Sequence, residues 1–465
     1  MNRRRFLQGS GALLVGGLTS TAFKSPFGIS SSIQITGGFS AVEKELLVRP
    51  FGFKGGNLTE LWQTAVQLNG AKGSQAIGLG TQSVLWSDSA VFLGNSETEG
   101  NSQMYALTKR AVQMLKGVSF ADPISLIDDI FDEVYEYGKK ITNRSDLRKT
   151  FALNSLVSID NALWMLYAQE NGISNFDHLI PGPYRPALSS RQKKLACIPL
   201  MSYNAPIEEL KGMTKNGSFF IKIKLGHAGT QQEMLEKDKK RLADIHRAIG
   251  SQLTPYTESG KLLYYFDANG RYESKQTLQQ FLDYAKKIGA FDQIALIEEP
   301  FPENAEIDVS DFGVRISADE SVHTDSDVLA RIQMGYKAIA LKPIAKTLSM
   351  TLKIAKVAHE HNIPCFCADL TVNPILVEWN KNLAARLSLL PGLKVGLLET
   401  NGKQNYKNWD SLCSYNPYNG SSWTIPKKEM FELDQKFYQT SGGIFKKSEH
   451  YQNLLNSDKY TSQLI

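Results

Sequence analysis

Leu262-Leu263-Tyr264-Tyr265-Phe266-Asp267 is an apolar stretch, typical of a buried β-strand, that ends on a carboxylate. The turn-prone Asn269-Gly270 follows it, and residues 294–298 and 315–319 repeat the design, ending on Glu298 and Asp319. Because the carboxyl ends of parallel strands meet on one face of a (β/α) barrel, these three carboxylates are expected to share a pocket. This pattern predicts both a barrel and a site at its mouth.

Strands that carry lysines flank the three carboxylates in the sequence. Residues 219–226 alternate with period two, which places Lys222 and Lys224 on one face and apolar side chains on the other. Residues 338–343 form a later strand, with small residues on the same face as Lys342. We therefore expect these lysines to point into the barrel beside the carboxylates.

Eight strand patterns, from residues 195–201 to residues 394–399, alternate with helical patterns such as residues 347–361. This alternation is typical of an α/β protein with a modified TIM (β/α) barrel, here predicted for residues 186–402. An open doubly wound sheet is the alternative, but it would gather ligand groups at one switch point and not at the ends of successive strands.

The rest of the chain is assigned to three further segments. Residues 31–185 mix short strands with amphipathic helices and are predicted to form an α+β capping domain. Residues 403–465 are expected to pack on the cap or the barrel, and residues 1–30 are expected to form an export signal and linker. Residues 51–57, which are rich in glycine, and Trp86-Ser87-Asp88 are candidates for lids over the site, although an exposed turn is the simpler interpretation of the second.

The N-terminal Arg3-Arg4-Arg5-Phe6-Leu7, followed by weakly apolar residues 11–18, resembles a twin-arginine export signal. This predicts export, to the periplasm, of a protein that is already folded. A basic tail on a cytoplasmic enzyme is the alternative, because no Ala-x-Ala cleavage site precedes Lys24 and Gln8 stands where lysine is common.

Composition limits the classes of partner. The 465 residues are 42% hydrophobic, enough for a large core, and a net charge of +5 is spread over 52 basic and 47 acidic residues. The basic residues do not form a stripe of the kind that indicates nucleic-acid binding. No apolar stretch is long enough to span a membrane in the mature chain. The predicted partner is a small-molecule carboxylate, and a homo-oligomer is possible.

The ordered set of motifs resembles the enolase superfamily, in its muconate-lactonizing and dipeptide epimerase subgroup. The family's Lys-x-Lys, Asp-x-Asn, Glu-x-Pro and Asp-Glu-Ser motifs and its sixth-strand lysine are matched in order along residues 40–400. The matching sequences are Lys222-Ile223-Lys224, Asp267-Ala268-Asn269, Glu298-Glu299-Pro300, Asp319-Glu320-Ser321 and Lys342.

The resemblance implies removal of the proton α to a carboxylate, through an enediolate whose two negative charges need a metal ion. Three carboxylates, with no histidine among them, suit Mg²⁺, or Mn²⁺, better than zinc. Lys222 is expected to sit beside the substrate carboxylate, while Lys224 and Lys342 form the proton-transfer pair. A lysine that works as a base near neutral pH needs a lowered pKa, which burial beside other cations is expected to supply.

The expected activity is that of a racemase or epimerase. Syn-elimination (a cycloisomerase, a dehydratase or an o-succinylbenzoate synthase-like enzyme) and a non-catalytic carboxylate-binding barrel are the alternatives. Asn269, Asp369 and Glu399 are candidate substrate contacts. The eighth strand departs from the dipeptide epimerases, because Glu399-Thr400-Asn401 stands where they carry Asp-x-Asp, and residues 225–266 contain an insertion without an assigned role.

Overall fold

The computed structural model of the protein describes residues 32–53 and 55–462. The predicted export signal, with Arg3 and Arg4, lies outside these residues and stays a prediction. Over the described part, an antiparallel sheet with helices is followed by a curled, mainly parallel sheet with helices around it. The predicted class, an α/β barrel with an N-terminal α+β cap, is confirmed. No helix in this part of the chain has the length and apolar character needed to cross a bilayer.

The cap is built on a four-stranded antiparallel sheet with the order β3-β2-β1-β4. Its elements are β1 (Ile33–Phe53), β2 (Gly56–Gly70), β3 (Gln75–Gln82), α1 (Val84–Ser87), α2 (Ser89–Gly94), α3 (Glu97–Met114), β4 (Ser119–Phe120), α4 (Pro123–Thr142), α5 (Lys149–Glu170), α6 (Phe176–Leu179) and the 3-10 segment Gly182–Leu188. The hairpin formed by β1 and β2 is much longer than an average strand pair and extends beyond the sheet toward the barrel mouth.

The barrel and the C-terminal segment follow. The barrel elements are β5 (Lys194–Ile198), β6 (Leu200–Met201), α7 (Ile207–Lys215), β7 (Phe220–Lys224), α8 (Gln231–Ile249), β8 (Leu263–Asp267), α9 (Lys275–Lys287), the 3-10 segment Phe291–Gln293, β9 (Ile294–Glu298), β10 (Ile316–Ala318), α10 (Asp325–Gln333), β11 (Ala338–Leu341), α11 (Pro343–Lys346), α12 (Leu348–Glu360), β12 (Cys365–Cys367), α13 (Pro374–Ala384) and β13 (Gly396–Glu399). The C-terminal elements are α14 (Gly402–Asn405), α15 (Trp409–Ser414), β14 (Met430–Glu432), α16 (Gln435–Thr440), the 3-10 segment Ser441–Gly443 and α17 (Glu449–Ser462).

The first strand of the barrel differs from the prediction, because Pro199 divides it into two. The first half, β5, pairs with β13, and the second half, β6, pairs with β7, so one short stretch of chain joins the two ends of the curled sheet. Proline has no amide hydrogen to give to a strand ladder, which explains a break at this position. Its carbonyl still accepts the amide of Lys222, at 3.0 Å, and this bond connects the break to β7.

Helix α5 connects the cap to the barrel. Residues 150–168 are all buried, as expected of a helix that is covered on every side. The helix packs on β3 very closely at Gly78, where a Cβ atom would lie 2.1 Å from the amide nitrogen of Ala162, so only glycine fits. On its other side, Asp160 accepts hydrogen bonds from the amide and the hydroxyl of Ser349 in α12.

The insertion between Lys224 and Asp267 lies at the end of the barrel opposite the site. Residues 251–261 loop below β8, and Thr257 forms a bridge with Leu393, just before β13. The ring of Tyr256 packs against Phe219, with 5.1 Å between ring centroids. The insertion therefore covers the amino ends of the strands, far from the predicted ligands.

The C-terminal segment contacts both parts of the molecule. β14 pairs antiparallel with β5 and adds an edge strand to the barrel sheet. Helix α17 packs on β1 and β2 of the cap, where His450 bonds the carboxylate of Glu43 at 2.8 Å.

The carboxyl group of Asp160 generates a prediction about pH and stability. Burial raises its pKa to about 7 from an ordinary value of 3.8, so the unfolded chain loses this proton at lower pH than the folded protein does. Stability is therefore lost as the pH rises through this window. Between pH 5 and pH 8, the free energy of unfolding of wild type should fall by on the order of 2 kcal/mol more than that of Asp160→Asn, as measured by urea unfolding. Asp132→Asn, at an exposed position in α4, is the control and should follow wild type; equal pH dependence in Asp160→Asn would contradict the assignment.

Candidate active site

The predicted lysines and carboxylates come together at the carboxyl ends of successive strands. Lys222 and Lys224 lie on β7, Asp267 and Glu298 end β8 and β9, and Asp319 and Lys342 directly follow β10 and β11. All six side chains are buried, with at most 5% of any of these residues exposed. The alternation that puts both lysines on one face of β7 is the reason that they share the pocket.

Lys222 lies at the centre of the acidic groups. Its Nζ is 3.0 Å from Asp267 Oδ2, 3.1 Å from Glu298 Oε1 and 3.3 Å from Glu399 Oε2. Its ammonium also lies 5.1 Å from the ring centroid of Tyr265, whose hydroxyl donates a hydrogen bond to Glu298 Oε2. One buried cation thus holds carboxylates from three strands.

Lys224 and Lys342 contact different carboxylates of the site. The Nζ of Lys224 is 2.6 Å from Asp267 Oδ2 and 2.5 Å from Asn269 Oδ1. Lys342 forms an ion pair with Asp319, and its Nζ lies over the ring of Trp86, 4.6 Å from the centroid. Strands β8, β9 and β10 separate the two lysine strands in the sheet.

The buried charges shift one another's pKa values. Burial alone would raise the pKa of Asp267, but Lys222 and Lys224 lower it to about 2. For Asp319, Lys342 and Lys346 likewise outweigh burial and hold its pKa well below the usual range. Glu298 differs, because burial dominates its environment and raises its pKa to about 8.

The expected fall in the pKa of the basic lysines is not found for Lys342. Burial lowers the pKa of this amine, but the charges of Asp319, Glu298 and Glu320 together outweigh burial and raise it. The same holds for Lys222, whose three carboxylate neighbours raise its pKa well above 10.5. The prediction considered neighbouring cations, whereas the nearest charged groups are carboxylates.

A divalent cation fits the carboxylates at this site. Oxygen atoms of Glu298, Asp319 and Glu320 lie within 4.8 Å of one another, and all three residues are buried. A set of oxygen donors alone suits Mg²⁺ or Mn²⁺. This grouping includes Glu320 and not Asp267, which stays a predicted ligand and is paired with Lys222 and Lys224.

Of the candidate substrate contacts, Asp369 and Glu399 already have partners. The carboxylate of Asp369 accepts backbone amides of Leu370, at 2.8 Å, and Asn401, at 2.9 Å, with that of Val372 at a longer 3.4 Å. Glu399 bonds Lys222 and accepts the amide of Asp369. Asn269 bonds Lys224 and donates to Glu320. All three line the cavity with the lysines.

The cap covers this charged floor with apolar side chains. The roof is defined as five residues of β1, β2 and α1: Leu47, Phe51, Leu58, Leu61 and Trp86. The cavity between floor and roof is narrow, about 60 Å³. The two predicted lids thus both contribute to the roof, but the second is not an exposed turn: Trp86 lies in a buried helical turn, because α1 is enclosed by the cap.

Arg148 holds the cap against the barrel, a role that the sequence did not indicate. Its guanidinium pairs with Glu303, with 2.6 Å between Nη2 and Oε2, and donates to the carbonyls of Trp86 and Ser87. His323 approaches the same carboxylate at 3.8 Å. The roof residue Trp86 is therefore fixed through a salt bridge that crosses between the two parts of the molecule.

Two further buried residues at the site were not predicted. Lys346 Nζ is 2.6 Å from the carbonyl oxygen and 3.3 Å from Oδ1 of Asp319, and Tyr265 bonds Glu298 as described. The sequence contained signals for both. Lys346 is four residues after Lys342, one helical turn away, and Tyr265 is two residues before Asp267, on the same face of its strand.

Comparisons with known proteins agree with this fold. Residues 207–395 match the family model described as "Enolase C-terminal domain-like". A search of curated proteins finds no match. Among solved structures, a mandelate racemase/muconate lactonizing protein from Herpetosiphon aurantiacus is 15% identical, with a TM-score of 0.60, and the alignment covers 87% of this chain and 97% of that one.

Two epimerases are similar in the same way. A dipeptide epimerase from Enterococcus faecalis V583, complexed with Mg and L-Leu-L-Tyr, is 17% identical, with a TM-score of 0.58 and coverage of 86% and 97%. The L-Ala-D/L-Glu epimerase from Bacillus subtilis is 18% identical, with a TM-score of 0.58 and coverage of 81% and 92%. Residues 207–395 are thus similar to the domain that the family model describes, and the solved structures share the fold of the chain.

The carboxylate cluster generates a prediction about metal binding. We expect Asp267→Asn, Glu298→Gln and Asp319→Asn each to weaken Mn²⁺ binding by about tenfold or more, because each removes charge or a donor oxygen. Electron paramagnetic resonance of free Mn²⁺ measures the affinity. Asp292→Asn, at an exposed position before β9, is the control. Equal Mn²⁺ affinity in wild type and the three carboxylate variants would reject the site. A loss of affinity in Glu320→Gln but not in Asp267→Asn would make Glu320, and not Asp267, the third ligand.

Proposed function

We propose that the protein is a Mg²⁺-dependent racemase or epimerase that removes and returns the proton α to a carboxylate. The observation that carries the proposal is that two buried amines, Lys224 and Lys342, line one cavity together with four carboxylates, those of Asp267, Asp319, Asp369 and Glu399. Two of the structures that share the fold are named epimerases, which agrees with the proposed activity.

Each residue of the site has a distinct task in this proposal. Glu298 and Asp319, with Asp267 or Glu320, would hold Mg²⁺, which supplies positive charge beside the substrate carboxylate as it gains a second negative charge. Lys222 adds a fixed ammonium at the centre of the floor and orients the carboxylates around it. The apolar roof excludes water, which strengthens every one of these electrostatic interactions.

Lys224 and Lys342 would carry out proton transfer on opposite faces of the α-carbon. The amine on one side, once it has lost its own proton, takes the α-proton, and the ammonium on the other side returns one, which inverts the centre. A general base of this kind contributes about 10²- to 10⁴-fold to the rate. Trp86 covers Lys342 from the side of the cap, with the Nζ 4.6 Å from the ring centroid.

The two-base assignment predicts opposite defects for the two lysine variants. Once a substrate is found, among dipeptides, N-acyl amino acids and sugar acids incubated in D₂O with Mg²⁺, each single variant should lose racemisation. Lys342→Ala should still exchange the α-proton of one enantiomer, and Lys224→Ala that of the other. Proton nuclear magnetic resonance measures the exchange of each enantiomer separately.

A matched control is Lys337→Ala, because Lys337 is exposed and directly precedes β11, the strand that leads to Lys342. It should behave as wild type. Interconversion of enantiomers at a near wild-type rate in either site variant would refute the assignment. If wild type exchanges no α-proton but forms an unsaturated product, the elimination alternative holds, since that reaction needs only one base.

Export to the periplasm is proposed from the sequence alone. Residues 1–30, fused to a folded reporter, should carry it out of the cytoplasm, and replacement of both Arg3 and Arg4 by lysine should stop this. Cell fractionation measures the distribution of the reporter. Export that never occurs, or that survives both replacements, would favour the cytoplasmic alternative.

A further inference from the structure

The cavity has an uneven distribution of charge. All the charged side chains that line it belong to the barrel floor, whereas the five roof residues are apolar. Leu58 and Leu61 are 5% and 1% exposed, so they face the interior and not solvent. The end of a substrate that lies away from its reacting carboxylate therefore meets hydrocarbon and the indole of Trp86, with Ser83 as the one polar residue that the described part of the cap adds to the lining.

The carboxylates near the rim are already engaged in bonds within the protein. Asp369 accepts backbone amides on both of its oxygens, at 2.8 Å on Oδ1 and 2.9 Å on Oδ2. Glu399 lies 3.3 Å from Lys222, whose ammonium it shares with Asp267 and Glu298. An ammonium placed here would compete with bonds that hold the loops after β12 and β13 in position.

A second carboxylate on the substrate also lacks a partner. The cavity lysines are each within 3.5 Å of a carboxylate of the floor, and no roof residue among those that the structure describes is cationic. Placing an unpaired charge in an apolar environment is strongly unfavourable, because the lost hydration is not replaced.

We infer that the substrate carries one charge only, the carboxylate next to the reacting carbon, and that the rest of it is neutral and apolar. This inference rests on the proposed function and deepens it. It separates this site from those of the similar proteins whose structures contain dipeptides, since a dipeptide brings a free ammonium.

Three leucine derivatives test the inference, because they share one α-carbon and differ at the distal end. N-acetyl-L-leucine is neutral there, glycyl-L-leucine adds an ammonium, and N-succinyl-L-leucine adds a carboxylate. With Mg²⁺ in D₂O, kcat/KM for α-deuterium uptake should be at least about tenfold higher for the acetyl derivative than for either charged one. Isothermal titration calorimetry measures the binding of each in parallel.

The outcomes separate this inference from the proposed function. Exchange that is equal or faster with glycyl-L-leucine or N-succinyl-L-leucine would overturn the single-charge substrate while supporting proton abstraction. If none of the three exchanges, the proposed function fails for this series, and the binding order decides the inference. Binding of the acetyl derivative that is no tighter than that of the charged derivatives would then overturn it.

A pair of adjacent variants on β1 tests the roof directly. Leu47 is 9% exposed and lines the cavity, whereas its neighbour Val48 is 60% exposed, because successive strand residues point to opposite sides. Leu47→Arg should shift the preference toward N-succinyl-L-leucine by about tenfold, since it provides a cation for the second carboxylate. Val48→Arg should leave the preference unchanged. A folded Leu47→Arg protein, verified by circular dichroism, with wild-type preference would contradict the position of the roof.

Discussion

The contact of the Lys222 ammonium with Asp267, Glu298 and Glu399 is the interaction on which the barrel mouth depends. Each charge loses its hydration on burial, and the loss is offset only while all partners stay within about 3 Å of the amine. The partners come from β8, β9 and β13, so one side chain of β7 fixes the ends of strands on both sides of it. The spacing of the site follows from this balance of charge, and a bound cation would have to enter a cluster that is already organised.

Backbone conformation near the site also reflects this organisation. Asn269, Glu299, Thr347 and Thr371 all have positive φ values, and each lies shortly after a barrel strand. Thr347, at φ 69° and ψ 153°, occupies a region that is normally restricted to glycine. Its hydroxyl caps α12, and the residue before it is Lys346, so the strained turn sets where that amine meets Asp319. Such strain persists only where packing on all sides enforces it, and Thr347 is fully buried.

Most of the barrel, and the charged residues that line its mouth, could be predicted, because both produce periodic patterns in the sequence. An apolar run that ends on a polar residue identifies a strand and the end that faces the site, as at Asp267, and alternation identifies the inward side of β7. What could not be predicted depends on contacts between distant segments. The salt bridge of Arg148 with Glu303, the amides that occupy Asp369 and the bridge of Thr257 with Leu393 leave no local pattern. The prediction of a lowered pKa for Lys342 failed for the same reason, because the direction of the shift depends on which charged groups are nearest in space.

The division of the first barrel strand at Pro199 has a consequence for the order in which the protein folds. β5 cannot pair until β13 and β14 have been synthesised, because Leu195 pairs with Gly396 and Phe431. Contacts between residues so far apart require a large loss of chain entropy before they gain any energy, which slows folding. During synthesis, β6, β7 and the strands after them have neighbours available early, whereas β5 remains an unpaired edge until the last part of the chain emerges. That edge is the segment of the barrel most exposed to aggregation before folding is complete.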